Sequence, residues 1–183
     1  MVMQAWKIDE AHSGIHFTVS HLVVAKVRGR FTRWSAELLM DEEDVSRSSV
    51  AVTIEAASLE TGHPKRDADL RSPMFFDAER FPLLQFRSRR VEPAGKHGLR
   101  VTGELTIRDV TREVVLDVAH GGYIDDPWGG RRVGYTASAS IQRGDFGMAW
   151  NQVLEAGGVF IGDRVDIGID VEAVGARGQA AAA

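Results

Sequence analysis

The sequence predicts an all-β fold of about eight antiparallel strands, closed into a barrel, on three observations. Apolar and polar residues alternate with period two through most of the chain, as half-buried antiparallel strands require. The strands are long and the connections short, and closure removes the exposed edges that an open sheet would leave. One strand switches its apolar parity midway, which reads as a bulge or bend of the kind that turns a barrel corner. Two sheets packed as a sandwich satisfy the same alternation.

The elements follow in order. Ile15, Phe17 and Val19 alternate with His16, Thr18 and Ser20 in the first strand. Along residues 27–40 the apolar set passes from Val27, Gly29 and Phe31 to Trp34, Ala36 and Leu38, which places the bend there. The run Asp41-Glu42-Glu43-Asp44 lacks the glycine-centred loop of a calcium site and reads as a solvated hairpin turn. Val50, Val52, Ile54 and Ala56 mark the next strand. Residues 63–76 break the pattern: Pro64 starts a short helix, and a second turn follows Pro73. Strands resume at 83–92, from Leu99 to Ile107, at 112–123 and at 132–143. Residues 144–163 are rich in glycine and without clear period, a long connection with room for one helical turn. Val165, Ile167, Ile169 and Val171 form the last strand, opposite Asp166, Asp170 and Glu172. Residues 1–174 thus read as one domain, and residues 175–183 as a tail with little reason to be ordered.

Composition narrows the function classes. Hydrophobic residues make up 44% of the 183, enough for a sizeable core without disulfides, and cysteine is absent. The formal net charge of −4, with both signs interspersed, argues against a nucleic-acid partner. No stretch approaches the ~20 apolar residues of a transmembrane segment. Lys7, Asp9 and Glu10 interrupt the start before a secretory apolar run develops, so a soluble cytoplasmic protein is expected. A homodimer is compatible with the sequence, which does not specify one.

Candidate chemistry is sparse. His12, His16 and His21 invite a metal reading, but an odd separation turns His16 and His21 to opposite faces of a strand, and no metal site is expected. There is no Gly-x-Ser-x-Gly turn, no Gly-x-Gly-x-x-Gly stretch and no phosphate-binding Gly-Lys-Ser/Thr motif. The expectation is therefore no enzyme and no cofactor. Lys65 and Arg66 at the start of a helix oppose its dipole by about 0.3–1 kcal/mol each. Either Asp67 and Asp69 neutralise them, or they sit at a barrel mouth and meet a polar or anionic headgroup.

Ordered motifs run along most of the chain. Trp6-Lys7-Ile8-Asp9 is followed by His12-Ser13-x-Ile15-x-Phe17-x-Val19-x-His21 and Val27-x-Gly29-x-Phe31. Then come Ser58-Leu59-x-Thr61, Arg66-Asp67-x-x-Leu70-x-Ser72, Phe75-Phe76-Asp77 and Phe81-Pro82. Gly103-x-Leu105-Thr106-Ile107-x-Asp109-Val110-Thr111, Arg143-x-Asp145-Phe146-Gly147, Trp150-Asn151, Leu154-Glu155-x-Gly157-Gly158 and Val165-x-Ile167 complete the series. In these motifs, across residues 6–172, the chain resembles the YceI-like family. The resemblance implies an extended, antiparallel, eight-stranded lipocalin-like barrel with one short helix packed against it. It also implies a polyisoprenoid or isoprenoid-quinone lipid held in the interior, carried, stored or sequestered. Two positions depart from the family pattern, which often has histidine at Asp69 and glycine at Asp109.

In that light the inward residues define a slot. An eight-stranded barrel is near the size at which side chains fill it or leave space for one ligand. Gly29, Gly103, Ala137 and Ala139 are small groups beside Phe17, Phe31 and Phe86, which suggests a slot with aromatic walls. The tail is expected against Phe17, Val19, Phe31, Ile54, Phe86, Leu105, Ala137, Ala139, Ile167 and Ile169, with Tyr135 on the same parity. Phe75, Phe76, Phe146 and Trp150 would line one end, and an inward His21 could bond the ligand's polar terminus. Two other functions stay open: an enzyme acting on an isoprenoid or quinone through His21 or residues 65–69, and a packed barrel serving as an interaction module.

Overall fold

The structure is a computed structural model, and it describes residues 3–22, 24–152, 154–155 and 160–176. Eleven strands form: β1 (Gln4–Ile8), β2 (Gly14–His21), β3 (Ala25–Phe31), β4 (Trp34–Met40), β5 (Ser49–Glu55), β6 (Leu59–Glu60), β7 (Leu83–Pro93), β8 (Gly98–Ile107), β9 (Val110–Asp125), β10 (Gly130–Gln142) and β11 (Ile161–Ala176). One α-helix, α1 (Pro64–Arg71), separates β6 from β7. All pairings are antiparallel, and β11 pairs with β1 as well as β10, which closes the sheet. The sandwich alternative is thereby removed.

The expected count of eight survives because the first two staves are each broken once. β1 and β2 are one stave interrupted at residues 9–13, and β3 and β4 are one stave interrupted at Thr32 and Arg33. The second break is where the apolar parity of residues 27–40 switches. With β5, β7, β8, β9, β10 and β11 these staves make an eight-stranded barrel with α1 beside β6, the architecture expected above.

The register carries features the alternation did not predict. β1 itself was not expected, because Gln4–Ile8 is too short for a period to show. At Arg89 an extra residue bulges β7 against β8, and Gly121 and Gly122 together oppose the single Gly134 of β10. Gly175 and Ala176 pair with Arg131 and Gly130, so the last strand extends into the expected tail. Residues 177–183 lie outside the described residues, as do Val153 and residues 156–159 of the long connection. That connection holds one 3-10 turn, Arg143–Phe146, and ends where β11 begins at Ile161. Asp41 is buried rather than solvated: its Oδ1 accepts from the main-chain N–H groups of Glu43 and Asp44 and shapes the β4–β5 turn.

The barrel has two unlike ends. At one, which we call the floor, Trp6, Met40, Val133 and Ala173 form a compact cluster with Tyr123 and Tyr135 packed on it. The β4–β5, β7–β8 and β9–β10 turns lie at this end. At the other end lie the β2–β3 turn, α1, the β8–β9 turn and the β10–β11 connection. There Phe146 and Leu59 are almost wholly buried and anchor a larger core that continues up the barrel through Ile54, Phe86 and Leu105.

Candidate ligand-binding cavity

Between floor and opposite end runs a cavity of about 620 Å³, within the ~300–1,000 Å³ of small-molecule sites. Its wall is almost wholly aliphatic and aromatic, supplied by the inward parity of every stave. Ile8, Met40, Tyr135 and Val171 line it toward the floor, and His63, Lys65, Met74 and Trp150 at the opposite end. Those last four are exposed, so the cavity meets solvent there, at its mouth.

Most residues named from the sequence lie on this wall. Phe17, Val19, His21, Phe31, Ile54, Phe86, Leu105, Tyr135, Ala137, Ile167 and Ile169 line it from the strands. Phe75, Phe76, Trp150, Lys65 and Arg66 line it at the mouth. Ala139 and Phe146 do not: Ala139 packs against the core, and Phe146, 1% exposed, is buried in it. The parity of Ala139 was read correctly, but the barrel's staves place the two alanines at different depths.

The glycines work otherwise than expected. A Cβ on Gly29 would stand 2.3 Å from Cζ of Phe17, its cross-strand neighbour. One on Gly103 would stand 2.4 Å from Cζ of Phe86 and 2.6 Å from the Arg87 carbonyl oxygen. Each glycine is therefore a seat on which a phenyl ring lies flat against the sheet. The lumen is kept by folding aromatic side chains onto the wall, not by leaving small residues bare.

At the mouth, aromatic contacts are continuous. Phe17, Phe31 and Phe76 follow one another at 5.7 and 5.8 Å between ring centroids, in tilted and edge-on geometry. Phe75 meets Trp150 at 5.8 Å, Trp150 meets Phe160 at 6.5 Å, and His21 stands edge-on to Phe160 at 4.5 Å. His16, by contrast, is exposed and pairs with Asp170 at 3.0 Å.

Helix α1 begins as Pro64 foretold, with His63 as its cap: Nδ1 accepts from the main-chain N–H of Arg66 at 3.4 Å. Arg66 donates through Nε to Thr61 Oγ1 at 2.7 Å and through Nη2 to the Thr61 carbonyl at 2.8 Å. Thr61 in turn donates through its main-chain N–H and hydroxyl to buried Asp67. Arg66 is thus spent largely on tying the helix to β6, with Thr61 rather than a carboxylate satisfying it. Lys65 has no hydrogen bond or ion pair among the described residues. Asp69, where the family often has histidine, is the one carboxylate on the wall among the described residues.

Arg143 was noted from sequence only as part of a motif. It is 4% exposed, and its guanidinium holds the β10–β11 connection together. Nε donates to the Gly162 carbonyl at 2.9 Å, and Nη1 donates to those of Met148 at 2.6 Å and Trp150 at 2.8 Å. Burial draws its pKa below the usual arginine value, while Asp163 at 3.3 Å pulls the other way. Asn151 adds a second tie, donating to the Ile161 carbonyl at 2.7 Å and accepting its N–H at 3.0 Å. Arg143 therefore places Trp150 and Phe160 at the mouth.

Two polar groupings lie away from the mouth. Asp9, His12 and Glu172 converge in the arrangement of a metal set. Arg132 already supplies the positive charge there, with Nη1 at 3.0 Å from Asp9 and 2.5 Å from Glu172. Near the floor, His120 meets Tyr123 in tilted and Tyr135 in edge-on geometry, at 4.9 and 5.1 Å between ring centroids. Burial raises the pKa of both phenols and lowers that of His120. The wall offers mainly shape and apolar contact, with His21, His63, Lys65, Arg66 and Asp69 as polar side chains toward the mouth.

The YceI-like domain matches residues 6–173, nearly the whole chain. The chain belongs to the YceI-like family. A UPF0312 protein of Vibrio parahaemolyticus is 36% identical over 136 residues, covering 74% of this chain and 72% of its own. A UPF0312 protein of Serratia proteamaculans is 39% identical over 145 residues, 78% and 75% of the two chains. Among solved structures, the Campylobacter jejuni YCEI protein superposes with a TM-score of 0.74 at 29% identity, over 85% of this chain and 88% of its own. Burkholderia cenocepacia BcnA shares this YceI-like fold with a TM-score of 0.80 at 22% identity, over 91% and 99%. A polyisoprenoid binding domain from Saccharophagus degradans shares it at 0.62 and 15% identity, over 95% and 99%. The Asp109 departure from the YceI-like pattern sits at φ +67, beside Arg108 at +51, in a tight β8–β9 turn where glycine fits without strain.

Proposed function

We propose that this protein binds one long isoprenoid lipid, a polyisoprenoid or an isoprenoid quinone, and serves as its carrier, store or sequestering protein rather than as an enzyme. One observation carries the reading: an apolar cavity of about 620 Å³ runs from a mouth to a closed floor inside the barrel. A flexible chain that loses water along such a wall gains roughly 25 cal/mol per Å², so length alone supplies affinity. Few polar contacts are needed, and few are offered. The polyisoprenoid binding domain from Saccharophagus degradans has the same fold and agrees with this ligand class.

Native mass spectrometry of freshly purified protein, followed by organic extraction, tests it. A discrete adduct that releases an isoprenoid is expected, and it identifies tail and headgroup together. A ligand-free mass that persists after incubation with polyprenols and quinones would overturn the proposal and favour an interaction module.

A further inference from the structure

The turn that joins β2 and β3 contradicts ordinary turn chemistry. Turns favour glycine, asparagine, aspartate and serine, and the other hairpins of this barrel comply: Asp41 to Asp44, Ala94 to His97, Arg108-Asp109, and Asp126 to Gly129. Here the chain places Leu22 and Val24, exposed by 44% and 90%. Leu22 takes a positive φ of +50, a strained conformation for a branched side chain. The Val24 side chain, nearly fully solvated, gains little from the fold. A local conflict without a folding benefit marks a site that serves something outside the fold.

Position identifies what that is. Leu22 adjoins His21 on the cavity wall and donates its N–H to the carbonyl of Phe160 at 3.0 Å, so the tip stands at the mouth. Met74 and Trp150, 43% and 38% exposed, continue the apolar rim. Basic residues are concentrated on one side of it, while Asp69 and Asp163 lie on the other elements of this end. Residues 13–36 carry Lys26, Arg28, Arg30 and Arg33 and no carboxylate, in a chain whose net charge is −4. Glu60 and Glu55 pair with Arg30 and Arg33, and Asp166 lies within electrostatic reach of Lys26. Arg28 and Lys65 have no ion pair among the described residues. The floor end, where Trp128 is exposed, is mixed: Asp41, Glu42 and Asp126 pair there with Arg47, Arg131 and Arg132, and Lys96 stands in the β7–β8 turn. An anionic surface would meet Lys26, Arg28 and Lys65 beside the apolar tip.

We propose that the mouth docks on an anionic bilayer, with Leu22 and Val24 below the headgroups and Lys26, Arg28 and Lys65 against them. This rests on the lipid-binding reading: a ligand insoluble in water then passes between membrane and cavity without crossing solvent. The arrangement joins an apolar insertion to basic residues, the two components of peripheral membrane binding.

Flotation with vesicles of equal parts phosphatidylglycerol and phosphatidylcholine tests it, against vesicles of phosphatidylcholine alone. The protein should float with the anionic vesicles, and 0.5 M salt, as a test condition, should release most of it. The double variant Leu22→Ser/Val24→Ser should lower the bound fraction by about tenfold, as should Lys26→Gln/Arg28→Gln/Lys65→Gln. Trp128→Ser, at the opposite end, should float as before. Failure of the parent protein to float, unchanged flotation of the tip variant, or loss confined to Trp128→Ser would each overturn the proposal. Native mass spectrometry of the same samples separates the two readings. Unchanged lipid occupancy in the tip variant, with flotation lost, supports docking as a step distinct from holding. A parent protein that floats but carries no lipid, even after incubation with isoprenoids, overturns the lipid-holding reading and with it this role for docking.

Discussion

Replacing Arg143 with leucine is the most informative single perturbation of this barrel. The side chain keeps its apolar stem but loses the guanidinium that serves the carbonyls of Met148, Trp150 and Gly162. An unsatisfied buried polar group costs about 1–3 kcal/mol, and water can reach the outer part of this loop, so the lower half of that range applies to each. The expected loss is about 4 kcal/mol, which for a domain of this size lowers Tm by about 8–16 °C. Thermal unfolding followed by circular dichroism measures it. Asn151→Ala should couple to it, because both residues tie the connection to the start of β11 at Gly162 and Ile161. A double-mutant cycle should give an interaction of about 1 kcal/mol. Lipid occupancy should fall in the same variant, since Trp150 and Phe160 lose their placement at the mouth. A Tm within about 3 °C of the parent, with full occupancy, would refute the anchoring role.

Other expectations follow from the wall and the floor. Ala137→Phe puts a ring into the lumen and displaces about one isoprene unit, about 4 kcal/mol of contact at ~0.8 kcal/mol per carbon, or three decades in Kd. Lipid titration measures it, and full retention would place the chain elsewhere; Ala139→Phe should act on stability instead, through the core. Gly103→Ala should cost about 1–3 kcal/mol in urea unfolding and more than Gly29→Ala, because its Cβ meets a main-chain oxygen as well as a ring. Equal losses would contradict the added cost of the Arg87 carbonyl, and no loss in either would contradict the ring-seat account. His120 has a lowered folded pKa, chiefly from burial, and its Nδ1 accepts the Gly122 N–H at 3.1 Å. Its contribution is complete above the ordinary 6.5 and is lost as pH falls through the lowered value. His12 has the opposite sign, its raised pKa giving stability below 6.5 that is lost as pH rises, so the two must be separated by comparing variants. His120→Gln should remove the acid-side component, and an NMR titration midpoint above 6.5 for His120 would exclude the assignment.

The legibility of this protein follows the range of the interactions involved. Alternation is local, so most of each stave other than β1, and the parity of Phe17, Ile54 or Ile167, can be read directly, and Pro64 announces α1. Closure needed only the count of staves and the need to hide edges. The glycines were misread because the ring that fills the space over Gly29 belongs to another strand, and only the register pairs it with Phe17. Arg143 was hidden for the same reason. Its partners are main-chain carbonyls up to nineteen residues away, which leave no residue-type signature. Asp41 is the opposite case: its burial follows from an Asx turn two residues long, but a run of four carboxylates masks the one that turns inward. The apolar turn at Leu22 was in plain view in the sequence. It becomes informative only once the mouth lies beside it.

The size of the cavity connects folding to function. Core cavities made by truncation cost about 24 cal/mol per Å³, so about 620 Å³ of apolar lumen corresponds to about 15 kcal/mol of contact that the chain alone does not make. That figure is an upper bound, because these walls are shaped in advance, yet it matches the whole net stability of an ordinary domain at about 5–15 kcal/mol. The barrel resists collapse because rings seated on Gly29 and Gly103 stiffen the sheet, and because two staves bend at fixed breaks instead of flattening. A bound chain then restores the missing contacts and stabilises the native state by mass action. Protein stripped of lipid by organic extraction and refolded should therefore melt at least 10 °C lower than protein as purified, at about 2–4 °C per kcal/mol. Adding back the extracted lipid should recover the difference in proportion to occupancy. Identical melting of stripped and purified protein would mean that the wall closes on itself, and the lumen would then be a property of one conformation rather than a ligand's place.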